Sequence, residues 1–300
     1  MPETIEIYDP RMRPLLRSDS SLQKVANGTK HSEGPVYIKE DNSVIWSDDH
    51  GNRLMRWSSS DGVSVLREPS DYQNGNDRDL EGRIVACSMG KRAIERREHN
   101  GEWTVLVDRY QGKRLNSPND LVVKRDGTIW FTDPPYGINE PGQGYGGEQE
   151  LPGSYVFRFD PATGELDPVV TDMLRPNGLG FSPDESLLYV SDSASYNMPG
   201  AAHHIRVYEV VDGRQTTNGR LFAVIDPPIP DGMCIDEHGY VFTSSKDSIQ
   251  VFAPDGVRLG KIPVPEACSN ATFGGAERDR LFITAGQSLY AIDLNTHGVQ

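Results

Sequence analysis

Four short stretches of this chain set a side-chain oxygen at the head of an apolar run: Ser32-Glu33-Gly34-Pro35, Pro118-Asn119-Asp120, Pro176-Asn177-Gly178 and Pro230-Asp231-Gly232. Brought to one point, two carboxylates and two amide carbonyls would form a hard, all-oxygen ligand set. Such a set suits one divalent cation, Ca²⁺ best, with Mg²⁺, Mn²⁺ and Zn²⁺ also admissible. Without a cation, two buried carboxylates that converged would repel and resist ionisation. Taken singly, the Asn and Asp stretches read as Asx turns entering strands. Glu33 cannot make such a turn, so something else must account for its place in the series.

The spacing supplies an architecture. Anchored on Glu33, Asn76, Asn119, Asn177, Asp231 and Asn270, the chain repeats in steps of 43, 43, 58, 54 and 39 residues. Each unit holds a polar residue, an alternating strand, a turn rich in Asp, Glu or Gly, and a second strand. A third strand follows (RLMRWSS, AIERRE, YVFRFD, IRVYEV, IQVFA, LYAID), then a Gly turn and, in five units, a fourth strand. Repeats of this length belong to propeller blades. The sixth unit stops short at LYAIDLNTHGVQ, and SLQKVANG (residues 21–28) is the spare strand that would complete it. The reading is an all-β, six-bladed β-propeller, its ring closed by an N-terminal strand so that no sheet edge stays open. Residues 1–20 are an N-terminal extension and 21–300 the single domain. The first strand of each blade lines the channel, so Glu33, Asn119, Asn177 and Asp231 would meet at one mouth.

Bulk properties fit and exclude. Gly 30 and Pro 21 in 300 residues, without a collagen period, supply many turns. A net charge of −14 argues against nucleic acid or an anionic membrane surface as partner. Cys87, Cys234 and Cys268 are odd in number and lack metal or disulfide spacing. Reduced thiols and the absence of an apolar leader or span point to a cytoplasmic protein. Oligomeric state has no sequence signature here.

Two connections between second and third strands are long, 133–154 and 192–204, and rich in Gly and Tyr. They would wall a substrate pocket above the cation. Tyr136 and His203 on them, and Asn74 and Asn76 on the rim of the second unit, are candidate contacts to substrate. His50 and His204 stand on similar loops.

At SEGPVY, GKRLNSPNDLV with IWFTDPPYG, RPNGLGFSPD with LYVSDS, and IPDGMCID, the chain resembles the SMP-30/gluconolactonase/LRE-like family from about residue 14 onward. The resemblance implies a sugar lactonase whose cation is held by Glu33, Asn119, Asn177 and Asp231, as in the related diisopropylfluorophosphatase-type propellers. It also implies Asp231 as the base that takes a proton from the attacking water. Animal members carry Arg two residues before the Asn matched by Asn119; Ser117 stands there in this chain, in the NSPND form of bacterial lactonases. Sugar preference therefore does not carry over from them. Three alternatives stay open: a phosphotriester or other ester hydrolase with Asp231 as nucleophile, a non-catalytic binding propeller, and a metal-free bond-forming enzyme.

Overall fold

The computed structural model describes residues 4–299. Alternating runs such as Ser43–Asp48 and Leu187–Asp192 form the second strands of four-stranded antiparallel sheets, buried on both faces because a neighbouring blade covers each side. Six such sheets make the ring, and their innermost strands are Ser32–Ile38, Gln73–Arg78, Leu121–Val123, Pro176–Phe181, Met233–Ile235 and Cys268–Gly274. They are blades 1 to 6 below. Gln23–Asn27 pairs antiparallel with Ser288–Asp293 as the outer strand of blade 6, closing the ring as the spare strand requires.

Aromatic pairs pack between successive blades: Trp130 on Phe181 (centroids 5.2 Å apart) and Phe242 on Phe273 (5.3 Å), each edge to face. Outer strands face solvent, with Val63, Val65 and Val105 exposed. The stretch before residue 21 joins the propeller too. Glu6–Ile7 adds a fifth strand to blade 5, and buried Met12 and Leu15, in a 3₁₀ turn, pack into the core shared by blades 5 and 6. No helix among the described residues is long and apolar enough to cross a membrane.

The recurring glycine after the polar residue has a steric cause. Around the channel, the N–H of Gly75 donates to the carbonyl of Asn119 (2.8 Å), Gly178 to Asp231 (3.1 Å) and Gly232 to Ser269 (2.6 Å). Blades touch there backbone to backbone. A Cβ at Gly178 would strike the Asp231 carbonyl, and one at Gly34, whose φ is +48°, would strike that of Asn74. The same bonds correct two anchors of the repeat. Asn74, not Asn76, is the blade 2 counterpart of Asn119, and Ser269, not Asn270, that of Asp231. A register irregularity sits at this place in blades 1, 2, 4 and 6 alike, so the inter-blade bond and not the strand pairing identifies the equivalent residue.

Candidate functional site

At the mouth, second-strand hydroxyls hold the backbone of Asn74 and Asp231 and, in three blades, an acid follows the hydroxyl. Ser47 donates to the Asn74 carbonyl (2.6 Å), Ser191 to the Asp231 carbonyl (2.7 Å), and the Ser244 hydroxyl accepts from the Asp231 N–H (3.0 Å). The acid that follows holds the segment leading into its own blade. Asp48 accepts from the N–H of Lys30 (2.8 Å) and His31 (3.2 Å), Asp133 from Asn116 (2.8 Å), and Asp192 from Leu174 (2.9 Å) and Arg175 (3.2 Å). These bonds fall two or three residues before Glu33, Asn119 and Asn177. The Ser-Asp and Thr-Asp pairs of the second strands are therefore the scaffold of the mouth.

Glu33, Asn119 and Asn177 are buried side chains, 4%, 5% and 6% exposed. Glu33 and Asn177 both act on the Asp231 carboxyl and favour its charged form. Asn119 stands at the same level of the ring, its backbone clamped between Thr132 and Gly75. Burial raises the Glu33 carboxyl well above its ordinary range, and the charges of Asp231, Asp49 and Asp120 push it further, against one N–H from Gly34 (2.9 Å). Burial likewise raises Asp231 to about 6, with His31 pulling it down and Asp49 pushing it up. Two carboxylates face each other here with few donors between them, and with two amide side chains beside them. That donor set fits a hard divalent cation, which would relieve the repulsion.

Beside it lies a cluster that sequence reasoning did not assemble. His31 Nδ1 is 3.0 Å from Asp49 Oδ1, His50 Nε2 is 3.9 Å from Asp49 Oδ2, and the two imidazoles stack with centroids 4.9 Å apart. Burial opposes charge on His31, but Asp49, Asp231 and Asp48 outweigh it and raise its pKa to about 9. His50 was expected as a loop residue; His31 and Asp49 were not. Their proximity follows from the hairpin register, which pairs Ser32 with Asp48 and so sets 31 and 49 next along.

Other expected contacts are placed unevenly. Tyr136 is buried in the short helix Tyr136–Asn139, its hydroxyl without a hydrogen-bond partner, and Asp231 is among the charges that act on it. Asn74 sits at the ligand level, its amide nitrogen 3.8 Å from the Met89 sulfur. Asn76 is turned into the fold. Its amide nitrogen is spent on the carbonyls of Gly34 (2.8 Å) and Asn74 (2.8 Å) and on Ser47 Oγ (3.0 Å), which makes it a clasp between blades 1 and 2. His203 is tied at the edge of blade 4, with Nδ1 2.7 Å from the Ile225 carbonyl, and His204 opens the third strand of that blade. Below the ring, a cavity of ≈ 870 Å³ runs to the opposite mouth past Asp120, Asn270, Asp77 and Arg278.

The sequence matches the family model described as SMP-30/Gluconolactonase/LRE-like region over residues 31–287. It is 34% identical to a gluconolactonase of Zymomonas mobilis, over 97% of this chain and 86% of that one. A solved structure of a gluconolactonase from Xanthomonas campestris is 39% identical and superposes with a TM-score of 0.91, covering 97% of this chain and 95% of that chain. A calcium-binding regucalcin from Agrobacterium tumefaciens, 14% identical over 94% of this chain and 98% of its own, shares the fold at a TM-score of 0.75.

Proposed function

Since this chain belongs to the SMP-30/gluconolactonase/LRE-like family and is a lactonase acting on sugar lactones, we propose that it works with one divalent cation, Ca²⁺ foremost, held by Glu33, Asn119, Asn177 and Asp231. The observation that carries this reading is that buried Glu33 and half-buried Asp231 act on each other, both driven toward the neutral form, with Asn177 also acting on Asp231. Bound there, the cation would polarise the lactone carbonyl and stabilise the charge that develops on its oxygen.

The chain's own residues supply the proton chemistry. Asp231 takes the proton of the water that adds to the carbonyl carbon. As the ring C–O bond breaks, it returns that proton to the departing ring oxygen, leaving the open hydroxy acid. Glu33, fixed by the Gly34 N–H, serves as ligand rather than base. Tyr136 stands over the site as a substrate contact, and Asn74 faces it from the ligand level. Asp49 and His31 set the field around Asp231.

The test is acid release from glucono-1,5-lactone by chelator-stripped protein, above spontaneous hydrolysis, with Ca²⁺, Mn²⁺ or Zn²⁺ added back. Turnover restored by cation and abolished by Asp231→Ala supports the reading. Full turnover by protein from which the chelator has removed all cation would reject it.

A further inference from the structure

Blades 3 and 4 present the same position, two residues before a ligand Asn, with different side chains: Ser117 and Arg175. Ser117 is fully buried and spent. Its hydroxyl donates to the Pro134 carbonyl and accepts from the Gly137 N–H (2.9 Å), which fixes the short helix that begins at Tyr136. Arg175 is not spent. Its guanidinium donates from Nη1 to the Leu174 carbonyl (3.0 Å), while Nε is buried without a partner. Asp192, which accepts from the Arg175 backbone N–H, also has its oxygens on the N–H groups of Leu174 and Ala194.

Arg175 and Asp231 are both among the charges that act on the Tyr136 hydroxyl. Tyr136 is 5% exposed, and its hydroxyl has no hydrogen bond of good geometry: Ser193, the one hydroxyl that acts on it, donates instead to the Pro230 carbonyl. Tyr196 roofs the spot, its ring 6.4 Å from Tyr136 and at 87° to it, and a 2.7 Å bond from Asn197 to Glu140 ties the two long loops together. Ser193 joins the two segments, its N–H donating to the Arg175 carbonyl (3.0 Å). A buried donor left unmet is costly, and native proteins keep few of them unless a ligand atom completes them. Guanidinium groups only donate, so the missing atom is an acceptor oxygen.

We propose that Arg175 and Tyr136 form a polar subsite that holds a ring hydroxyl of the lactone next to its carbonyl, and that this subsite selects hydroxylated lactones over plain aliphatic ones. The inference rests on the lactonase reading and adds the residues that set its specificity. Ser117 contributes as a positioning residue, through the helix that carries Tyr136. A pocket built to bond a substrate hydroxyl discriminates strongly against an analogue that lacks it, because its own polar groups are then left unpaired.

The experiment compares glucono-1,5-lactone with δ-valerolactone, the same ring without hydroxyls, in wild type, Arg175→Met, Arg175→Lys and Tyr136→Phe. The ratio of their kcat/KM values should fall about 100-fold in Arg175→Met and about 10-fold in Tyr136→Phe, mostly through KM for the sugar, with partial rescue in Arg175→Lys. Gluconate binding, followed by calorimetry with Ca²⁺ present, should weaken in parallel while Ca²⁺ affinity holds. An unchanged ratio, with both lactones losing equally, would overturn the subsite and leave Arg175 a structural residue. Wild type that turned over neither lactone would instead reject the lactonase reading. Calorimetry would then decide: gluconate binding lost in Arg175→Met upholds the subsite, and unaltered binding overturns it.

Discussion

The two mouths of the channel both bury carboxylates, and they treat them differently. At the mouth away from the candidate site, Asp77 accepts from the N–H of Val123 (2.7 Å) and of Arg78 (2.7 Å), with the Arg278 cation also acting on it. Burial still raises it to about 6, but each oxygen has an answer within the fold. Asp120, midway, is bonded to the Leu121 N–H (2.9 Å) and the Asn270 amide (3.1 Å). At the site, Glu33 has one N–H from its own neighbour, and its strongest charged influence is another carboxylate. A charge answered by the chain holds structure; a charge left to face its like leaves room for a cation.

The comparison is broken most directly by neutralising one carboxylate at each mouth. Asp231→Ala should lower kcat/KM by at least about 10³-fold, since it removes a general base and a ligand together. Asp77→Ala should leave turnover within about threefold, yet cost about 1–2 kcal/mol of stability by leaving the half-buried Val123 and Arg78 N–H groups without their acceptor. Steady-state kinetics and urea unfolding on the two variants measure both halves. A large activity loss in Asp77→Ala would erase the distinction between the mouths.

How much of this was legible follows from what sequence encodes. Blade number, ring closure and the standing of Glu33, Asn119, Asn177 and Asp231 at the heads of inner strands depend on periodic pattern and residue type, and a chain carries both openly. The shift from Asn76 to Asn74 was hidden because the stretch QNGND offers two Asn two residues apart, and only the bond from the Gly75 N–H to the Asn119 carbonyl tells which stands in the ring. That Asn76 spends its amide on blade 1, and that Arg175 keeps its Nε unpaired, are matters of partner choice in space. The His31–Asp49 pair was half legible: the strand–turn–strand pattern of each unit is plain, but the register that sets Ser32 across from Asp48 is a matter of pairing in space. The fifth strand on blade 5 escaped because Glu6–Ile7 is two residues long, too short for any period.

Proton linkage sharpens the contrast next. Asp231 and Asp77 (each about 6) and Asp120 (about 7) are raised in the folded state, so the native protein binds more protons than the unfolded chain between about pH 4 and 7. Stability of cation-free protein therefore falls as pH rises through that window. A cation held by Glu33 and Asp231, as proposed, would compete with protons only at that mouth. Saturating Ca²⁺, at about 100 times Kd, should add about 2.7 kcal/mol at pH 7.5 and clearly less at pH 5, where the ligands are protonated. Thermal melts at the two pH values, with and without chelator, read this out. An equal gain at both would detach the cation from Glu33 and Asp231.

Backbone contact between blades gives a smaller effect. Gly178→Ala would drive a methyl into the Asp231 carbonyl, at a cost of about 1–3 kcal/mol. Because that carbonyl belongs to the proposed base, turnover should fall by about 10- to 100-fold beyond the loss of folded protein. Gly82→Ala, at a turn on the far mouth with φ +79°, should destabilise the fold without touching kcat. Equal kcat values in the two variants would show that the ring of inter-blade bonds does not hold the site in register.

The smallest expected effect tests whether the far mouth is energetically self-contained. Arg278 donates from Nε to the Gly298 carbonyl (3.4 Å) and from Nη2 to that of Val299, so it fastens the chain end across the channel while its charge supports Asp77. Burial disfavours the guanidinium charge, and Asp77 offsets this. If that exchange is local, a double-mutant cycle of Asp77→Asn with Arg278→Met should show a coupling of about 1 kcal/mol in unfolding free energy. The same cycle run between Asp77→Asn and Glu33→Gln should show coupling below about 0.5 kcal/mol, because Asp120 and Asn270 lie between the mouths and bond to each other. Coupling of similar size in both cycles would mean that the channel carboxylates act as one electrostatic unit. The proton balance of the far mouth would then tune cation binding at the near one, and the division between answered and unanswered charge would fail.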